Sequence, residues 1–280
     1  MTATFVLAGL TIKEAMRRRL LVAFVAITVV VVGLSAWGFN RLAHTSNITS
    51  GEQRLAVPQA LILFMFMFSF VVALSASAIA SPSISSEVES GVLMTVVARP
   101  VRRTQVLLGK WIGLAALLAA YAGAVCALEF GVVDLVSGFV PPDPFLAAFY
   151  LFAEGILLLT VAMLLSTRLS IIAAGVVGVA VFGAGWLGGV VGSLGTAFNI
   201  GALRTVGQIG RYVIPTDGLW HAAIYYLEPS WLIGRQLAEG TSGNPFFVQS
   251  APSLAYLLWV ACWFLMVLGL GIISFQRREL

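Results

Sequence analysis

Residues 20–39 read LLVAFVAITVVVVGLSAWGF, from Leu20 to Phe39, and none of these 20 side chains carries a charge. As an α-helix rising about 1.5 Å per residue, such a block matches the roughly 30 Å hydrocarbon core of a bilayer. A signal-peptide core runs only about 7–15 residues, so this block suits a permanent anchor, and no cleavable leader is expected. Its apolar character is uniform rather than alternating, which points to a helix and not a barrel strand.

Five further blocks share that character along the chain: Gln59–Ala80, Trp111–Leu128, Phe145–Ser166, Ile171–Val191 and Leu254–Phe275. The expected fold is all-α: a single transmembrane domain over residues 1–280 with six spans at 20–39, 59–80, 111–128, 145–166, 171–191 and 254–275. Composition agrees, with 60% of residues hydrophobic and only 10% charged. A soluble domain carries about a quarter charged residues, so this chain needs lipid to solvate its surplus apolar surface. Cys126 and Cys262 both sit in apolar stretches, which argues against a structural disulfide and for two small buried residues.

The net charge of +4 comes from basic residues beside the apolar blocks, so it reads as a topology signal and not as a nucleic-acid site. With the N-terminus in the cytoplasm, 11 of the 16 Lys and Arg lie inside: Lys13, Arg17–Arg19, Arg99, Arg102, Arg103, Lys110, Arg168, Arg277 and Arg278. Arg41, Arg54, Arg204, Arg211 and Arg235 lie outside. Both termini are then expected in the cytoplasm.

Residues 1–19 carry Phe5, Gly9, Ile12 and Met16 on one helical face and Lys13, Glu14, Arg17 and Arg18 on the other. That pattern fits a helix lying in the membrane interface, or a plain basic flank. The outer segment 192–253 contains apolar stretches at Ile200–Ile214 and Leu219–Leu227, separated by Pro215 and closed by Pro229. These are too short to span, so interfacial or re-entrant helices are expected, with Thr216 or Asp217 as a cap. Trp220, Tyr225, Tyr226 and Trp231 suit headgroup depth.

Between the second and third blocks, Ser86 and Glu89 form a capping-box pair, and Pro100 disfavours continuation. Val88, Val92 and Val96 line one face of the helix expected at 83–98, with acidic residues early and Arg99 late, as the helix dipole favours. Such a helix is either a membrane-surface connector or an element that docks into a partner's groove.

This stretch resembles the coupling region of the permease subunits of type-2 ATP-binding-cassette exporters. Glu87, Glu89, Gly91, Pro100, Arg103, Gly109 and Lys110 fit that family's Glu-x-Glu-x-Gly-Thr, Pro, Arg and Gly-Lys pattern, while Val92 and Arg102 replace its usual hydroxyl residues. In layout the chain is similar to the short permeases that serve nitrous-oxide-reductase maturation, a likeness that carries no substrate. The resemblance implies a bacterial cytoplasmic-membrane exporter working by alternating access. It implies two permease copies, a homodimer in the simplest case, and two separate ATPase subunits that hold ATP and Mg. Ser86, Glu87, Val88, Glu89, Gly91, Val92 and Val96 would then couple to the ATPase, with Arg99, Arg102 and Arg103 at its surface. The second and fifth spans would line the pathway.

The chain has no Gly-x-x-x-x-Gly-Lys-Ser/Thr loop, since Gly109-Lys110 is followed by Trp111, so the energy source is expected elsewhere and no cofactor is expected in this chain. Glu154 lies mid-way along the fourth span, where an ionised carboxylate is costly, so it is expected to be protonated, to sit in a wet cleft, or to bond a neighbouring hydroxyl or backbone group, with a part in the transport pathway as one reading. Phe66 and Ser69 belong to an aromatic and Met-rich patch that either contacts substrate or packs. Gly185 and Gly189 form a small-x-x-x-small pair, for a dimer seam or for packing within the chain. His44 and His221 lack metal-ligand company, and Asp217 with His221 reads as a pair on a surface helix. An intramembrane enzyme and a scaffold without transport are the rival classes.

Overall fold

The computed structural model describes residues 2–17, 19–44, 50–89, 102–238 and 244–278. Eleven helices are found among them. They are α1 (Thr2–Met16), α2 (Arg19–His44), α3 (Ser50–Ala80), α4 (Pro82–Glu89), α5 (Arg103–Ser137) and α6 (Pro144–Ser166). The rest are α7 (Ile171–Ala197), α8 (Gly201–Val213), α9 (Thr216–Leu227), α10 (Ser230–Ala238) and α11 (Leu254–Gln276). Six of them, α2, α3, α5, α6, α7 and α11, are long and apolar enough to cross a membrane.

Helix α6 is the hub and packs on α3, α5, α7, α9 and α11. Its Leu151, Leu158, Leu159 and Ala162 are fully enclosed. Helices α2 and α11 lie at the periphery and leave Val22, Val29, Val30, Trp37, Leu258 and Leu265 exposed. An apolar rim around a packed centre is unfavourable in water and natural in lipid, where packing and hydrogen bonds hold helices together. Two polar staples tie α2 to α5: Thr28 shares a 2.6 Å hydrogen bond with Tyr121, and Ser35 donates to Glu129 at 2.5 Å. Glu129 lies just beyond the third apolar block, but α5 carries it on into the bundle, and it is fully buried. Gly138 ends α5 at φ 67°, a left-handed conformation that suits glycine.

Helix α1 lies along the start of α5. A Cβ on Gly109 would come within 2.8 Å of Leu7 Cβ and Thr4 O, and one on Gly113 within 2.6 Å of Ala8 O. Ala8 and Ala15 are buried there, while Phe5 and Met16 stay exposed on the other side.

The outer segment is helical, as expected, but not all of it lies at the surface. Helix α9 is not a surface helix: it packs on α6, α7 and α3, and Leu219, Ala223, Ile224 and Leu227 are buried. Neither Thr216 nor Asp217 caps it, because Pro215 holds the N-cap position. Trp220 is in the core against Phe66 and not at an interface, whereas Trp231 is half exposed. Tyr226 stacks on Tyr150 of α6. Helix α8 folds back on α7 through glycines: Gly207 meets Gly192, and Gly210 meets Gly188. Indole N–H groups of Trp259 and Trp263 on α11 donate to Tyr212 O and Val213 O at 3.0 Å each. They satisfy carbonyls that the end of α8 leaves bare. Both cysteines are free, and Cys262 is exposed rather than buried.

Candidate functional site

At the end of the bundle that bears both chain termini, α4 follows α3 after a single turn residue, Ser81. The helix starts at Pro82, a residue pre-set for a first turn. Ser86 is therefore not an N-cap: it lies inside α4, and its hydroxyl donates back to Pro82 O. The expected start had been set by the Ser86–Glu89 spacing, and the proline four residues earlier overrides it.

Helix α4 is fixed to its surroundings. Lys110 Nζ reaches Glu87 Oε1 at 2.5 Å and Ser83 O at 2.6 Å. The Ser85 hydroxyl shares its one proton between Ser166 O at 2.9 Å and Leu169 O at 2.8 Å, across the turn between α6 and α7. Glu87 and Lys110, which resemblance alone had grouped, are thus in contact, and the ion pair is largely buried. Glu89 is exposed. Gly91, Val92, Val96 and Arg99, with the side chain of Val88, lie outside the described residues.

Arg102 is exposed, and its N–H donates to the Gln105 side chain at 3.1 Å, which helps start α5. Arg103 turns inward along the bundle end and donates to Gln276 O at 3.1 Å and Arg278 O at 2.7 Å. A cation on the last carbonyls of α11 favours that helix terminus. Arg278 in turn donates to Thr167 O at 2.5 Å, and Arg168 to Ser274 Oγ at 3.1 Å. These bonds join the start of α5 and the ends of α6 and α11 into one polar clasp.

A second polar site lies inside the bundle. Ser69 on α3 donates to Glu154 Oε2 on α6 at 2.8 Å, and both residues are buried. Phe66, one turn from Ser69, packs its ring 5.6 Å from Trp186 and 5.5 Å from Trp220. Asp217 on α9 faces the same space, and its Oδ2 lies 3.2 Å from His221 Nδ1. Burial pulls the His221 pKa down, but the Asp217 carboxylate outweighs this and holds it above the usual imidazole range.

Gly185 and Gly189 form the floor for α9. A Cβ on Gly189 would fall on the Asp217 carboxylate, and one on Gly185 would come within 2.5 Å of Thr216 Oγ1. The glycine pair therefore serves packing within the chain. Phe66, Ser69, Glu154, Gly185 and Gly189 are brought to one place. Asp217, expected with His221 on a surface helix, and Thr216, expected only as a cap, complete it. Nothing local in the sequence placed them beside Glu154, because their position depends on which helices α9 packs against. Among the described residues no three of His, Cys, Asp and Glu gather as a metal site.

The fold thus defines a multi-pass helical membrane protein with a clasped terminal end and a polar site inside the bundle. The model of the ABC-2 family transporter proteins matches residues 6–280, and the chain belongs to that family. It is accordingly a permease component of an ABC transporter. No curated protein matches the chain.

Proposed function

We propose that the chain is the membrane-spanning half of an ATP-driven exporter in a bacterial cytoplasmic membrane. Two copies pair, and two separate ATPase subunits dock below the terminus-bearing end. That end faces the cytoplasm, in keeping with its excess of Lys and Arg. The observation that carries this reading is the mounting of α4. It is a near-continuation of α3, and Lys110 and Ser85 bind it to α5 and to the α6–α7 turn. A push on residues beyond Glu89 is therefore passed to four spans at once. Alternating access follows when the ATPase subunits close and drive α3 and α7 apart from their neighbours. Glu87 acts in this scheme by holding the lever to Lys110, and Glu89 and Arg102 offer exposed charge to the ATPase.

Purification of the full chain from its native membrane tests the reading. An ATP-binding-cassette subunit is expected to co-purify, and Val92→Asp is expected to leave membrane insertion intact while abolishing ATPase-coupled transport. Recovery of the chain with no ATPase subunit, or unchanged coupling in the variant, would refute it.

A further inference from the structure

The space between α3, α6, α7 and α9 has a lining of one electrostatic kind. Four rings, Phe66, Phe182, Trp186 and Trp220, close around it. Its polar groups are the carboxylates of Glu154 and Asp217 and the hydroxyls of Ser69 and Thr216. Asp217 already has His221 Nδ1 against its carboxylate at 3.2 Å. Glu154 has a hydroxyl for a partner and no cation among the described residues. Thr216, only 2% exposed, leaves its hydroxyl oxygen without a partner. Ring faces carry negative quadrupole density and attract positive charge, most strongly where water is excluded. A carboxylate at membrane depth demands the same.

We propose that this space is a substrate-binding point and that it takes a cationic head, a quaternary ammonium or a protonated amine. The assignment rests on the permease reading above. The positive charge would lie against the Glu154 carboxylate with Phe66, Trp186 and Trp220 around it, and the Thr216 hydroxyl would turn its oxygen to it. In this structure the rings and polar groups pack so closely that not even a water fits between them, so a ligand enters only if α9 lifts from Gly185 and Gly189. That contact has a glycine on one side at each point, which makes it a smooth seam to part.

The test compares choline with its uncharged isostere, 3,3-dimethylbutan-1-ol, on the full chain in lipid nanodiscs, read by tryptophan fluorescence. Saturable quenching by choline is expected, with the isostere at least about tenfold weaker. Glu154→Gln should weaken choline by about tenfold or more, and Trp220→Leu should weaken it as well. An equal response to the two compounds, or none to either, overturns the proposal on the wild-type chain alone, whether or not Glu154→Gln folds. If an ATPase subunit still co-purifies in that case, the permease reading stands and only the cation assignment falls. Selective choline binding in a chain that never captures an ATPase would overturn both the transport reading and the space's role as a substrate site.

Discussion

Lys110 is a buried ammonium whose charge is met by Glu87 and whose remaining donor capacity is met in part by Ser83 O. Breaking such a buried pair typically costs about 3–5 kcal/mol. Lys110→Met is therefore expected to lower the thermal midpoint of the purified chain sharply, and a second change, Glu87→Leu, should restore much of the loss. A double variant no more stable than Lys110→Met would show that the ion pair is not what holds α4. Glu228, at the end of α9, makes the opposite case. Burial raises its pKa to about 7, while the Gln236 amide pulls the other way. The folded state thus holds the proton more tightly than the unfolded chain. This contribution to stability is complete below the ordinary carboxylate pKa and is lost as pH rises to about 7. Glu228→Gln should flatten the fall in thermal midpoint across that window and be the more stable protein at pH above it. An unchanged pH profile would count against it.

Helices meet here through residues that have no side chain to spare. The contact of α1 with α5 depends on Gly109 and Gly113, where an added Cβ would strike backbone atoms of α1. Gly113→Leu should lift α1 away, so that a cysteine placed at the buried Ala8 becomes open to maleimide labelling. Labelling as slow as in the Gly113 parent would mean that α1 is held by other contacts. The same logic joins α7 to α8 and to α9, with Gly192 against Gly207 and Gly189 against Asp217. Helix existence was legible in the six apolar blocks, because about twenty uncharged residues leave few other options. Which helices would touch was not legible, because a small-x-x-x-small pair has the same spacing whether its partner is in the same chain or in another. The extent of α5 was equally hidden: Glu129 ends the apolar block, yet Ser35 on α2 makes its burial tolerable.

Six helices among the described residues are long and apolar enough to cross a membrane, and if all six cross, the two termini share a side. In a Cys262→Ser background, cysteines at Glu89 and Arg277 should label from one face of a sealed vesicle. Cysteines at Val140 and Phe198 should label only from the other. Labelling of all four from one face would break the six-span topology. The apolar blocks determined the all-α fold and the six candidate spans, because hydrophobic length is a local property of a chain in a bilayer, and the resemblance of the stretch from Glu87 to Lys110 pointed to the family. Tertiary structure alone decided that Pro82 opens α4, that Glu87 and Lys110 meet, that α9 turns into the core, and that Asp217 and Thr216 join Glu154. Those facts depend on residues far apart in sequence finding partners inside the bundle. A polar group's location there is set by the helix that packs opposite it, and no stretch of the chain carries that information by itself.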